Sequence, residues 1–435
     1  MAQKTIGIGL MGIGVIGSKV ANVLIERAHL LSGCAGCAVA LRKIKVIESD
    51  LSRPQVQAMD PKLFTTDDEE FFNLPDVDII IELIGGEYPA FEYQKRAIKA
   101  HKHVVTANKE VIAKHGAELF MLAEQNNVSI RYEASVGGGI PLIAPFQRDL
   151  IANRINGIYG IINGTTNYIL STMAKDGTDF EVALSQAQKL GYAEANPRND
   201  IEGIDAAYKI AIMATLAFRS RVGPEQVFCE GISRLSRQDF QYAREMGFAI
   251  KLLAIAKQDD GEIEARVHPV FIPADGFLAK VDGVYNAVLV DGDLTGQVTF
   301  TGKGAGASAT SSAVVADAVA IARQVVSGRH EPILRQNDKA RIKPMAQIVT
   351  RYFIRMSIAD QPGVLAQVAS AFGVHNISIA SAIQKETAPD KTAEIVIMTH
   401  PAKEEAIQSA FADFKKLDVV KEVHNFVRVE MGEYV

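Results

Sequence analysis

Residues 5–27 read TIGIGLMGIGVIGSKVANVLIER, and this stretch decides the fold. Thr5 to Leu10 is a short apolar run, which reads as a buried strand. Gly12, Gly14 and Gly17 follow, and Ser18 to Arg27 has the spacing of an amphipathic helix. A glycine triplet by itself is weak evidence. Set between a strand and a helix, it is the dinucleotide-binding fingerprint. The first glycine makes the turn, the second lets the backbone approach a pyrophosphate, and the third lets helix and strand pack closely. The helix start supplies N–H groups to the phosphates. Gly12, Ile13, Gly14, Val15, Ile16 and Gly17 are therefore the first cofactor-binding candidates. The bland alternative is a tight turn that binds nothing.

Working outward, the next residues repeat the strand–helix alternation of a Rossmann-type parallel sheet, over residues 1–135. A second strand is expected from Ile44 to Ile47, ending at Glu48-Ser49-Asp50. The tip of that strand chooses the cofactor: an acid binds free ribose hydroxyls, an arginine accepts a 2′-phosphate. Val77 to Leu83 reads as a buried strand leading to Gly85-Gly86, followed by a helix near 90–100. His103 to Thr106 is the next strand and ends at Ala107-Asn108-Lys109, with a helix expected from Lys114 to Asn126. Ligands bind at the ends of such strands, which makes Lys109 a candidate as well as a plain helix-start residue. Ile130 to Ala134 closes the sheet, before Ser135-Val136-Gly137-Gly138-Gly139-Ile140-Pro141.

A second stretch carries the chemistry. Residues 187–209 read AQKLGYAEANPRNDIEGIDAAYK. Gly191 stops one helix, a polar loop holds Glu194, Asn196-Pro197 and Asp200, and Gly203 ends it. Ile204 to Phe218 is apolar almost all round, the mark of a buried helix. Asp205 and Lys209 are four apart and share one face of it. On a solvated helix they would be an ordinary ion pair. Burying both charges costs several kcal/mol, so a pair in this setting points to a site.

The composition sets bounds. The chain has 435 residues, enough for roughly two or three domains. It is 48% hydrophobic and 22% charged, with net charge −5. That gives no support for binding to nucleic acid or to a membrane surface. No apolar run of transmembrane length and no secretory signal stand out, so a cytoplasmic protein is expected. The cysteines are Cys34, Cys37 and Cys229. Cys34 and Cys37 have redox spacing, but no second pair completes a metal site.

Residues 136–304 read as a mixed α/β domain. Ile158 to Ile162 is a strand, and Asn163-Gly164-Thr165-Thr166-Asn167 caps the helix after it. Strands near 263–269 and 287–294 suggest a mostly antiparallel sheet. Gly304 and Gly306 precede a helix of small residues, Ser308 to Arg323, read as the chain returning to complete the first domain over about 305–326. Residues 327–348 are polar and basic, a linker. From 349 to 431 the pattern is βαββαβ, a ferredoxin-like unit with Asp360-Gln361-Pro362-Gly363 before its first helix.

Ala187, Gly191, Asn196-Pro197, Asp200, Gly203, Asp205 and Lys209 together resemble the signature of homoserine dehydrogenases, and the last domain resembles an ACT domain. The resemblance covers essentially the whole chain. It implies NAD(P)-dependent, reversible reduction of L-aspartate 4-semialdehyde to L-homoserine, in a homodimer or homotetramer. The middle domain would bind substrate and dimerise, and the ACT domain would sense an amino acid, threonine first. The substrate carbonyl becomes an alkoxide as hydride arrives, so a cation must stabilise it and give a proton. Lys209 is the expected donor and Asp205 the orienting acid, with Lys109 beside substrate and nicotinamide. Delivery by water, with the lysines as fixed charges, is the alternative. Glu194 would pair with the substrate ammonium and Asp200 would support it. Ser49, Gly85, Lys109, Gly191, Gly304 and Gly306 join the cofactor set. Glu133, with the backbone oxygens of Val136, Gly138 and Ile140, would hold a monovalent cation such as sodium. The family often has Arg-Asp where this chain has Ser49-Asp50, which weakens an NADP assignment, although Lys45 and Arg53 stand near enough in sequence to meet a phosphate. Two other readings stay open: a non-catalytic nucleotide and amino-acid sensor, and another amino-acid dehydrogenase.

Overall fold

Thr5–Met11 (β1), Ala38–Lys45 (β2), Phe64–Thr65 (β3), Ile79–Glu82 (β4), His103–Thr106 (β5) and Ile130–Arg131 (β6) form one parallel sheet in the order β3-β2-β1-β4-β5-β6. The computed structural model describes residues 5–328, 341–384 and 392–432. These fall into two units. The first takes in the described residues of Met1–Arg154, Ala211–Pro224 and Phe300–Lys339. The second takes in those of Ile155–Ile210, Glu225–Thr299 and Ala340–Val435.

In the first unit the strand order reverses between β1 and β4, which opens a crevice at their carboxyl ends. Ile6, Ile8, Leu10, Ile79 and Ile81 are fully buried, as strands covered by helices on both faces require. The helix Ala307–Ser327 lays Val314, Ala318 and Ile321 into the same core. Against expectation it has the length and apolar content of a membrane span. Its burial in that core marks it instead as an interior helix. Three of the boundaries that differ from the sequence reading have local causes. β2 begins at Ala38 because it pairs with β1 from Thr5 onward, so partnership extends it beyond its apolar run. The helix after β5 begins at Lys109 because the Asn108 side chain accepts the Val111 N–H and caps it there. β6 is only two residues long, and Glu133–Ser135 turns as a short 3₁₀ segment.

The second unit is built on a mixed sheet. Its elements are Ile155–Ile161 (β7), Phe228–Cys229 (β8), Phe248–Asp259 (β9), Glu262–Pro273 (β10), Tyr285–Gly292 (β11), Gly296–Lys303 (β12), Arg341–Ile342 (β13), Val349–Ala359 (β14), Ile379–Gln384 (β15), Thr392–Thr399 (β16), Ala402–Lys403 (β17) and Val420–Val429 (β18). Its main path runs β12-β11-β7-β9-β10-β18-β14-β16-β15. The sequence reading places no strand at β9 or β12, although Asp260-Gly261 and Thr295-Gly296 mark turns at their ends. With the helices Val364–Val374 and Glu404–Phe414, the last strands give the expected βαββαβ order.

The ferredoxin-like part is not a separate sheet. β18 pairs in parallel with β10 through Val270↔Arg428 and Phe271↔Val429, and Phe271 stacks on Phe353 with ring centroids 4.5 Å apart. Buried ion pairs line this seam. Arg428 donates to Glu404 and Glu230 at 2.7 Å each, and Arg266 donates to Glu430 at 2.6 Å. Arg355 meets Asp239 at 2.9 Å and Glu394 at 2.8 Å. Burial, with Arg428 and Arg266 beside it, holds His268 well below its usual range. The neutral ring can therefore accept from Arg266 while donating to the Pro269 carbonyl. Of the expected linker, residues 329–340 lie outside the described residues, and Arg341–Ile342 adds a short parallel strand to β10.

Candidate active site

The helix Ile204–Phe218 forms where the sequence places it, and its first turn carries the expected pair. Asp205 and Lys209 are 4% and 8% exposed, and the Lys209 ammonium donates to Asp205 Oδ2 at 2.6 Å. The same ammonium donates to the carbonyl of Ile162, just beyond the end of β7, at 2.8 Å. A buried ion pair stands only when further hydrogen bonds complete it. Asn163 supplies one of these, and the sequence reading assigned it only a capping part. Its Oδ1 accepts the Thr166 N–H and so caps the helix Gly164–Asp176. With Oδ1 fixed, Nδ2 faces the acids and donates to Asp205 Oδ2 at 2.9 Å and Asp200 Oδ1 at 2.7 Å. One amide thus gathers two carboxylates at the mouth of the buried helix. The available signal was an asparagine cap directly after a strand.

Around this centre the loop is tied down through its backbone. Thr165 Oγ1 donates to the Tyr192 carbonyl at 2.6 Å, and Gln188 Nε2 to the Glu194 carbonyl at 3.2 Å. The Glu194 side chain is exposed, and Asp200 sits in the short helix Arg198–Ile201 rather than in open loop. Gly203 has φ +80, and a Cβ there would meet Cys229 Sγ at 3.0 Å and Val267 at 3.1 Å. The loop is therefore seated closely against β8 and β10. Gly191 closes the preceding helix at φ +75 with open space where a side chain would be.

The cofactor candidates lie in the first unit, apart from Gly191. Gly12 has φ +91, and a Cβ there would meet the Leu83 carbonyl at 2.9 Å; one at Gly17 would meet the Gly12 carbonyl at 2.1 Å. These two are required by packing. A Cβ at Gly14, Gly85 or Gly306 would meet nothing within 4 Å, so their backbones face open space. Ile13 is buried, Ile16 is partly so, and Val15 is 79% exposed. Gly304 is buried, its carbonyl 2.6 Å from where a Cβ on Gly138 would stand. Glu82 organises the second loop: fully buried, it accepts from the N–H of Ile84 and from Thr106 and Gln94, each at 2.8 Å. Lys109 is the first residue of its helix and partly buried.

At the tip of β2, Ser49 is exposed in the turn Glu48–Asp50. The neighbouring cations are engaged. Lys45 meets Asp68 at 3.0 Å and the Thr66 carbonyl at 2.9 Å, Arg53 meets Asp50 at 2.8 Å, and Lys43 meets Glu70 at 2.9 Å. This corrects the expectation that Lys45 stands available to a phosphate.

The cation set also changes. Glu133 Oε1 accepts the N–H groups of Leu142 at 2.6 Å and Ile143 at 2.8 Å, and Oε2 that of Ala144 at 2.8 Å. Its carboxylate thus caps the helix Ile143–Gln147, and its carbonyl accepts the Val136 N–H at 3.4 Å. Val136 and Ile140 are buried, and Gly138 is left-handed at φ +56. Among the described residues no group of three or more His, Cys, Asp or Glu could hold a metal ion.

Comparisons with known proteins give the family. The family model described as homoserine dehydrogenase matches residues 141–319, its NAD binding domain matches 12–133, and an ACT domain matches 352–419. The chain is 44% identical over 438 residues to a homoserine dehydrogenase of Synechocystis, covering 98% of this chain and 99% of that one. It is 43% identical over 436 residues to the one of Neisseria gonorrhoeae, covering 98% and 99%. A crystal structure of a homoserine dehydrogenase from Thiobacillus denitrificans superposes with TM-score 0.92 at 40% identity, covering 98% of each chain. A hyperthermophilic archaeal homoserine dehydrogenase in complex with NADPH superposes with TM-score 0.64 at 25% identity, covering 76% of this chain and 100% of that one.

Proposed function

The chain belongs to the homoserine dehydrogenase family and catalyses the NAD(P)-dependent interconversion of L-aspartate 4-semialdehyde and L-homoserine, a step of amino-acid biosynthesis; on that premise we propose how its residues divide the work. Lys209 stabilises the alkoxide that forms as hydride reaches the aldehyde carbon, and gives it a proton. Asp205 holds the ammonium in place, and Asn163 holds Asp205. Asp200 and Glu194 receive the amino-acid end of the substrate. The observation that carries this reading is the buried Asp205–Lys209 pair at 2.6 Å, bound on its acid side by Asn163. Lys209→Ala should retain cofactor binding and lose turnover by about 10²-fold or more, the scale of a lost general acid. A variant within a few-fold of the parent removes Lys209 from the chemistry.

The nicotinamide cofactor supplies the hydride when bound. The backbones of Gly14, Gly85 and Gly306 suit its close approach, with Gly12 and Gly17 shaping the turn. We propose that NAD serves at least as well as NADP. Ser49 replaces an arginine, and Lys45, Arg53 and Lys43 are already paired. An arginine–phosphate contact is charge-assisted, and its absence removes roughly 1 kcal/mol or more of NADP preference. A kcat/KM about tenfold higher with NADP, or more, contradicts this. A monovalent cation, if held, takes the backbone carbonyls of 133, 136, 138 and 140 and steadies the glycine loop. The division of the chain follows the same reading: residues 1–135 and about 305–326 for cofactor, 136–304 for substrate and dimerisation, and 349–431 for sensing. Threonine is the first effector candidate, at the helix start behind Gly363, whose φ is +87. A cytoplasmic homodimer or homotetramer fits this role.

A further inference from the structure

Glu82 and Thr106 are the last residues of β4 and β5, which pair side by side, and both are fully buried. The chain turns after each strand: at Gly85-Gly86 after β4, and at Ala107-Asn108 after β5, where the helix Lys109–Gln125 begins. The Glu82 carboxylate serves both turns. Its Oε1 accepts the N–H groups of Ile84 at 2.8 Å and Gly85 at 3.4 Å. Its Oε2 accepts the Thr106 hydroxyl and Gln94 Nε2, each at 2.8 Å. Thr106 Oγ1 in turn accepts the N–H of Asn108 at 3.0 Å and Gln94 Nε2 at 3.3 Å. One proton donated and two accepted use the whole capacity of a hydroxyl. Gln94 Oε1 is buried with no hydrogen-bond partner among the described residues, so this amide is turned toward the carboxylate and the hydroxyl and leaves its own oxygen unbonded.

A second bond joins the same turns. Asn108 Nδ2 donates to the Gly86 carbonyl at 2.7 Å, while Asn108 Oδ1 caps the helix by accepting the Val111 N–H at 3.2 Å. Farther out, Glu87 meets Lys114 at 2.6 Å and His115 at 2.8 Å, both on that helix. Gly85 and Gly86 are left-handed at φ +74 and +71, which lets the turn after β4 fold back over Glu82. A shift of one turn without the other would strand the Asn108 N–H and a Glu82 oxygen in a buried place, and leaving such groups unbonded is unfavourable. The two turns therefore behave as one piece, with the Thr106 hydroxyl as its innermost link.

We propose that Thr106 is a positioning residue for hydride transfer: through Glu82 on one side and Asn108 on the other, its hydroxyl fixes the Gly85 turn and Lys109 to each other. The proposal rests on the reading that sets Gly85 at the cofactor and Lys109 beside substrate and nicotinamide. A misplacement of about 1 Å in such a site can slow the reaction by about 10²-fold. The test uses full-length enzyme and compares Thr106→Val, Thr106→Ser, Asn108→Asp and Lys109→Ala with the parent. Valine keeps the shape and loses the hydroxyl, and serine brings the hydroxyl back. Aspartate keeps the helix cap but has no donor for the Gly86 carbonyl. In cofactor-free Thr106→Val, hydrogen exchange should rise in residues 84–88 and 107–111 together. The single-turnover rate of hydride transfer from homoserine should fall about tenfold or more in Thr106→Val and in Asn108→Asp. The Kd for the cofactor by calorimetry should stay within about threefold, since the turn at Gly12 to Gly17 is untouched. Thr106→Ser should recover most of the lost rate. A parent-like rate in folded Thr106→Val, or in Asn108→Asp where the valine variant does not fold, overturns the proposal, as does exchange that rises in one segment alone. With Lys109→Ala impaired, the placing of Lys109 then still stands. A parent-like rate in Lys109→Ala overturns that placing and the proposal with it.

Discussion

Two clusters of buried charge lie in the second unit, and they do different things. At the proposed substrate site, Lys209 and Asp205 sit one helical turn apart, with Asn163 and Asp200 completing the group. At the seam, Arg428, Glu404 and Glu230 come from a strand, a helix and a loop far apart in sequence. Both are fully bonded and both are inside. The difference is access to chemistry: the first stands at the mouth of a buried helix beside a polar loop, the second fastens the last strands to the rest of the same sheet. Buried charge alone therefore does not mark an active site. What marks it here is a lysine whose counter-acid is itself held by a third group.

Breaking the seam gives the largest expected effect. Arg428→Ala leaves the buried Glu404 and the half-buried Glu230 without their cation, and should cost roughly 3–5 kcal/mol of stability by chemical denaturation. If that variant is as stable as the parent, the seam is not a fastening and the contrast with the substrate site fails. The same reasoning makes removal of residues beyond Arg341 a severe change. It would strip β10 of its β18 partner and leave Arg266 without Glu430.

Asp317 offers a third case, a buried carboxyl bonded to a backbone N–H, that of Glu133, at 2.8 Å. Burial raises it from 3.8 to about 7. Its folded form therefore binds a proton more tightly than its unfolded form. Its contribution to stability is full below about pH 4, is lost as pH rises toward 7, and stays lost above. Asp317→Asn should remove that loss, so its stability gain over the parent should be larger at pH 8 than at pH 4.5, by on the order of 2 kcal/mol. Equal differences at the two pH values would show that the carboxyl ionises as readily folded as unfolded.

The comparison also explains what was legible in the sequence. The parallel sheet, though not its strand order, followed from the glycine turn and the alternation of apolar strands with helices. The Asp205–Lys209 pair was legible because both residues lie on one helix, four apart. The seam was not: Arg266 with Glu430, Arg355 with Asp239 and Arg428 with Glu404 are brought together only by tertiary pairing. The part the Glu133 carboxylate plays was not legible: it accepts N–H groups nine to eleven residues on, a local cap that its spacing does not announce. Asn163 was half read. Its cap is local and visible; its bonds to residues 37 and 42 positions away are not.

The central claim is that one amide gathers two acids, one of them the partner of the proposed catalytic Lys209, and Asn163→Ser tests it most directly. Serine retains the helix cap but has no second donor to reach Asp200 and Asp205. Steady-state kinetics of homoserine oxidation should show kcat/KM lowered by about tenfold or more, the scale of lost hydrogen bonds to charged groups. The KM for the cofactor and the denaturation midpoint should stay near those of the parent. A kcat/KM for homoserine unchanged within about twofold, in a folded variant, would contradict the account.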